Sequence, residues 1–270
     1  MAFRLGVCGC MADGGSDGTG IHVIDDAVRL GYDYLELSLA HIAALSDDDF
    51  GALKARLAAA PVKCETCHNF FPPDVRLTGN GADLDRAVAY ADRAMRRAAI
   101  LGADVIVFGS SGAKNVPDGF SFDAAWEQIV ALLKAVDPLA RRHGIDIAIE
   151  CLNKGESNIV NSIADGIALV EATGGTNVKL LADYYHIMLE ADPAADIVRA
   201  APYLRHVHFA EVERRSYPRA IKTEYVSFFK TLIKAGYVGR VSIEAFTSDF
   251  ATDGASAAKT MRDLFAEVAP

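Results

Sequence analysis

Four residues with metal-type side chains fall at or just past the ends of four successive apolar runs. Glu150 closes I-D-I-A-I-E, Asp183 closes K-L-L-A-D, His208 stands near the end of L-R-H-V-H-F-A-E, and Glu244 follows V-S-I. Short apolar runs bounded by turn residues read as buried strands. A carboxylate at the end of such a strand is costly to bury unless a cation or hydrogen bonds hold it. Three acids brought together without a cation would also repel one another. Three carboxylates and one imidazole make a mainly hard donor set, suited to Mn²⁺ or Mg²⁺, with Co²⁺ tolerated and Zn²⁺ less natural. The alternative, in which each acid is satisfied separately by Arg or Lys, gives no reason for the same placement on consecutive strands.

Further candidates flank these four. His186 lies three residues after Asp183, and Arg214 lies six after His208. Both are loop positions overlooking the site, where they could orient a bound oxygen or stabilise charge developing on it. Arg214, beside Arg215, also fits a solvated loop charge. Asn153 and Glu156 follow Glu150 at three-residue steps in a polar loop. His206 shares a strand face with His208 and is expected to line the barrel.

The five cysteines offer a rival metal story, because Cys8 and Cys10 follow the first strand and Cys64 and Cys67 the third. C-x-C with C-x-x-C could supply four thiolates to zinc. Strands one and three are not neighbours in a simple barrel, however, and a cysteine in an apolar run is often a small core residue. Cys151 is expected to pack outward behind the sheet. The odd number and the lack of an export signal favour reduced thiols. No G-x-S-x-G, no G-x-G-x-x-G opening a helix and no Walker lysine occurs, so nucleophile-elbow, dinucleotide and ATP chemistries lack support.

The elements that must position these residues alternate regularly. Strand patterns recur at Phe3–Val7, Tyr34–Leu37, Val62–Thr66, Val105–Phe108, Ile145–Ile149, Val178–Leu181, Leu204–Phe209 and Val241–Ile243. Helical patterns between them cover Ile21–Leu30, Asp47–Ala59, Leu84–Leu101, Phe122–Arg142, Ile163–Ala172, Ala194–Ala201, Glu224–Ala235 and Ala255–Val268. Gly31, Gly102, Gly144 and Gly236 fit left-handed caps leading into the next strand. Eight strand-helix units without a linker predict an α/β chain, a single (β/α)8 TIM barrel over residues 1–270, with all four ligand candidates at its C-terminal mouth. The longer loops, including the glycine-rich piece Ala12–Gly20 after strand one, rim that mouth.

With 51% hydrophobic residues in 270 the chain can bury a large core, and its net charge of -9 argues against nucleic acid as a partner. No apolar run is long enough for a membrane span. The N-terminus runs straight into a strand pattern without a signal-peptide profile, so a cytoplasmic protein is expected. A metal, or a small neutral or cationic ligand, suits the acidity.

The ordered set E-x-x-N-x-x-E (Glu150, Asn153, Glu156), D-x-x-H (Asp183, His186), H-x5-R (His208, Arg214) and the last-strand Glu244 resembles the xylose isomerase-like barrel superfamily. The similarity is greatest to its ketose 3-epimerase and hydroxypyruvate isomerase branch. It runs from G-Y-D-Y-L-E-L-S to G-Y-V-G-R-V-S-I-E. The resemblance implies that Glu150, Asp183, His208 and Glu244 bind the divalent metal, with Glu150 and Glu244 also the acid and base on opposite faces of a sugar. It implies that Glu156, His186 and Arg214 contact substrate oxygens. The implied reaction is isomerisation or epimerisation of a ketose or keto-polyol through an enediolate.

A homo-oligomer, dimer or tetramer, is a further implication of the resemblance. Ala245 stands where the epimerases usually have proline, and the first-strand loop lacks their pocket aromatic. The runner-up is a metal-dependent decarboxylase, lyase or dehydratase of an oxo-sugar acid or keto-inositol, which Lys114 touching a substrate carboxylate would favour. A trinuclear-zinc DNA repair endonuclease fits His68 but neither the residues ending strand four nor the acidity. A degenerate barrel kept only for binding is opposed by the intact set of site residues.

Overall fold

The computed structural model describes residues 3–12 and 18–269; the middle of the glycine-rich piece after strand one lies outside them. Eight parallel strands close a barrel in sequence order. They are β1 (Arg4–Cys8), β2 (Tyr34–Ser38), β3 (Cys64–His68), β4 (Val105–Phe108), β5 (Asp146–Glu150), β6 (Val178–Asp183), β7 (Leu204–Phe209) and β8 (Arg240–Ile243). Pairing of β1 with β8 completes the circle, as a (β/α)8 barrel requires.

The helices are α1 (Ile24–Leu30), α2 (Leu39–Ala44), α3 (Asp47–Ala59), α4 (Leu84–Leu101), α5 (Ser111–Lys114), α6 (Phe122–His143), α7 (Ile163–Thr173), α8 (Tyr184–Glu190), α9 (Ala194–Arg199), α10 (Thr223–Lys234) and α11 (Phe250–Val268). Gly102 and Gly144 end α4 and α6 at φ of 100° and 69°, and their amides close the last turn before β4 and β5. That left-handed geometry is nearly free for glycine alone.

Three differences from the sequence patterns matter. The third strand begins two residues later than Val62 and runs on to His68, which carries that histidine to the mouth. The last helix starts at Phe250 rather than Ala255, because the Asp249 side chain accepts from the Thr252 amide and Phe250 packs across the bare face of Gly254. The short helices α2, α5 and α8 fill loops where no pattern of several turns exists to be read.

Two apolar cores result. The larger lies between strands and helices, and the smaller, Val105, Val107, Ala148 and Leu181, lies inside the barrel on the β4 to β6 side. The opposite interior is polar, with Glu36, Thr66, His206 and Ser242 all buried. Tyr34 fills the interior below them, possible because Gly6 lacks the Cβ that would meet its ring at 2.3 Å. The N-terminal end is closed by an ionic chain in which Arg205 joins Asp146 to Asp104, and Arg240 joins Asp104 to Glu65. Among the described residues, no helix is long and apolar enough to cross a membrane.

Candidate metal and substrate site

Side-chain alternation turns Glu150, Asp183 and His208 inward from adjacent strands, and Glu244 follows β8 directly, its amide bonded to the Phe209 carbonyl at 3.0 Å. Ligand atoms of Glu150, Asp183, His208 and Glu244 all lie within 4.8 Å of one another, and all four residues are buried. His208 is central: its Nδ1 is 3.1 Å from Glu150 Oε1 and 3.1 Å from Glu244 Oε2. Its Nε2 donates to Glu36 Oε1 at 2.9 Å.

Asp183 has two tasks. Oδ1 caps α8 by accepting from the Tyr185 and His186 amides at 2.7 and 3.4 Å. Oδ2 is buried with no hydrogen-bond partner among the described residues. His186 is fixed on one side, where Nδ1 accepts from the Asn153 amide and side chain at 3.1 and 2.9 Å. Its Nε2 must then carry the proton, and it too is buried with no hydrogen-bond partner among the described residues, 3.7 Å from Asp183 Oδ2. Buried polar groups are rarely left unpaired. A carboxylate oxygen without a partner, inside a set of three acids and one imidazole, fits a hard divalent cation held by Glu150, Asp183, His208 and Glu244.

The electrostatics are uneven. Burial pushes the Glu150 carboxyl up, and the neighbouring Glu244 charge adds to it. Burial would raise Glu244 also, but Arg215 and His208 outweigh it and hold that carboxyl well below the usual range. Burial opposes charge on His208, yet Glu244 and Glu36 raise it well above an ordinary imidazole. Glu36 is held low against its own burial by His208 and His206.

The second arginine of the pair, not the first, reaches the site. Arg214 is exposed, whereas Arg215 bonds the Glu244 carboxylate, donates from Nε to the Glu244 carbonyl at 3.2 Å, and sits 3.4 Å from both Glu156 oxygens. Both residues adopt positive φ, 60° and 47°, a turn geometry in which the spacing from His208 does not say which side chain points inward. Glu156 is held by Arg215 and by Asn153 Nδ2 at 3.0 Å.

Two neighbours of the acid site carry no role in the epimerase resemblance. Glu36, in the middle of β2, is fully buried, and His68 at the end of β3 places Nδ1 3.3 Å from Glu244 Oε1 and Nε2 3.1 Å from Cys10 Sγ. The one sequence signal for Glu36 is an acid inside the apolar run Y-L-E-L-S.

The four-thiolate site does not assemble. Cys64 and Cys67 meet each other at 3.7 Å, while Cys10 turns to His68. Cys151 packs outward under α7, where a Cβ on Gly166 would meet its sulfur at 2.7 Å. Lys114 is fully buried rather than facing the cleft, and donates to the Glu150 carbonyl at 3.2 Å. Burial pushes its amine down to about 8.

A cleft of about 340 Å³ opens onto the site, lined by Glu150, Glu156, Arg215 and Glu244 with Cys10, Ser110, Ser111 and the exposed Phe246. Gly109 gives the Glu150 carboxylate its room, since a Cβ there would stand 2.1 Å from Oε2.

Carboxylates and an imidazole converge at the C-terminal mouth of a closed (β/α)8 barrel, the face on which barrel enzymes carry their active sites. The chain belongs to the xylose isomerase-like TIM barrel family, whose signature matches residues 24–267. It is 26% identical over 254 residues to a D-psicose 3-epimerase of Ruminiclostridium cellulolyticum, covering 90% of this chain and 83% of that protein. It is 28% identical over 251 residues to an L-ribulose 3-epimerase of Mesorhizobium japonicum, covering 88% and 79%. Among solved structures, a D-allulose 3-epimerase from Methylomonas sp. in complex with D-allulose shares the fold at a TM-score of 0.84, with 22% identity and coverage of 97% and 96%.

Proposed function

We propose that the chain is a sugar epimerase or isomerase that uses a divalent cation, acting on a ketose or keto-polyol by proton transfer at the carbon next to the carbonyl. The observation that carries this reading is the placement of Glu150 and Glu244 at 3.1 Å each from one nitrogen of His208, at the floor of a sugar-sized cleft. The relatives named as psicose and ribulose 3-epimerases support it.

Glu150, Asp183, His208 and Glu244 would hold the cation, Mn²⁺ first by donor hardness, with Mg²⁺ and Co²⁺ as alternatives. The cation would supply Lewis-acid polarisation of the carbonyl, which acidifies the neighbouring C–H. One glutamate removes the proton, leaving an enediolate, and the other returns a proton on the opposite face. His186 Nε2, whose proton has no acceptor among the described residues, and Arg215 donate to substrate oxygens and stabilise the charge that develops there. Glu156 orients Arg215 and accepts from a substrate hydroxyl. The rival decarboxylase or lyase reading loses the residue that favoured it, because Lys114 is sealed behind Glu150.

The test is metal content of the purified protein, followed by NMR detection of deuterium uptake from D₂O into a panel of ketoses and oxo-sugar acids, with Glu150→Gln as control. Metal-dependent exchange lost in the variant is the expected result. Tight metal binding with carbon dioxide release and no exchange would overturn it.

A further inference from the structure

Glu36 has no part in the chemistry above, yet the fold encloses its carboxylate completely. Its two oxygens are used unequally. Oε2 accepts from Thr66 Oγ1 at 2.8 Å, Ser242 Oγ at 2.6 Å and His206 Nε2 at 2.8 Å. Oε1 accepts from His208 Nε2 at 2.9 Å. Three of the four donors converge on Oε2, which leaves Oε1 to His208.

A buried anion is a costly way to fill a barrel. The β4 to β6 side of the same interior is filled by valines, alanine and leucine. What an apolar residue could not do is choose between the nitrogens of His208. A neutral imidazole carries its proton on one nitrogen, and the hydrogen bond made by that nitrogen sets which one presents a lone pair. Glu36 accepts the Nε2–H hydrogen bond and holds that proton in place, so a His208 that loses its other proton when a cation binds would present its lone pair at Nδ1, the atom facing Glu150 and Glu244.

We propose that Glu36 is a positioning residue, which fixes the Nε2–H tautomer and ring orientation of His208 and so sets divalent-ion affinity without touching ion or substrate. The inference rests on the metal-site reading above. Removal of such an outer partner typically weakens metal binding by roughly 10–100-fold.

The experiment is calorimetric titration of metal-stripped protein with Mn²⁺, for wild type, Glu36→Gln and His206→Asn. The expected result is that Glu36→Gln binds Mn²⁺ roughly 10–100-fold more weakly, yet recovers most of kcat at saturating Mn²⁺ with KM little changed. His206→Asn disturbs the same carboxylate but not its bond to His208, and is expected to keep the wild-type affinity. Should Glu36→Gln not fold, Glu36→Asp, which draws the charge back from His208, is expected to show the same weakening. Unchanged affinity in the Glu36 variant, or equal weakening in His206→Asn, would overturn the proposal alone. No Mn²⁺ binding by wild type would overturn it together with the metal-site reading.

Discussion

Arg215 grips Glu244 twice, through the carboxylate and through the backbone carbonyl, while a third nitrogen faces Glu156. Its neighbour Arg214 is exposed. The two arginines should therefore separate sharply in steady-state kinetics. Arg215→Ala is expected to lower kcat/KM by roughly 10²–10³-fold, the usual cost of a lost charge-stabilising donor. Arg214→Ala should lie close to wild type. Equal effects would show that the turn holds either side chain in the site.

Gly109→Ala tests the packing behind Glu150. The backbone of Gly109 does not have positive φ, so alanine fits the chain, but its methyl would occupy the place of Glu150 Oε2. The carboxylate cannot retreat freely, with Oε1 on His208 and the carbonyl on Lys114. A displacement of this kind costs about 10²-fold in turnover, with a stability loss of about 1–3 kcal/mol from overpacking. Wild-type turnover in a folded variant would mean that Glu150 is not used where it stands.

How far the site was legible follows from what each signal depends on. Glu150, Asp183, His208 and Glu244 could be read because each is a polar break at the end of an apolar strand, and strand ends share one mouth in a parallel barrel. Glu36 was not read, since an acid inside a strand carries no mark of what faces it; its partners come from β3, β7 and β8. Arg215 was hidden by a turn with two consecutive positive-φ residues, where strand periodicity no longer says which side chain points inward. His68 required the third strand to run two residues further than its apolar pattern. Lys114 was placed on the correct loop but its burial was invisible, because a one-turn helix folds it inward.

Asp183 gives the proposed metal site a readout in stability. Mn²⁺ at a hundred times its dissociation constant should add about 2.7 kcal/mol, a rise in Tm of roughly 5 °C for a chain of this size. Asp183→Asn keeps an oxygen to cap the Tyr185 and His186 amides but replaces the unpartnered Oδ2 with an amide group. That variant should fold, retain α8 and lose the rise in scanning fluorimetry. The same rise in both proteins would remove Asp183 from the ligand set.

Cys10 reports on the cleft without a change to Glu150 or Glu244. Cys8, Cys64, Cys67 and Cys151 are buried, whereas Cys10 is partly exposed, lines the cleft and rests its sulfur 3.1 Å from His68 Nε2. Iodoacetamide on the native protein should therefore add one adduct, located on Cys10 by peptide mass spectrometry, with the other four reacting only after unfolding in guanidinium. A ketose that binds the cleft should slow that first labelling, and should do so more strongly when Mn²⁺ is present, because Cys10 and Glu244 line the same cleft and a sugar in the proposed site would stand between them and solvent. Labelling that starts at a buried cysteine, or that is indifferent to every ketose shown to exchange deuterium, would place the substrate away from the Cys10 side of the barrel.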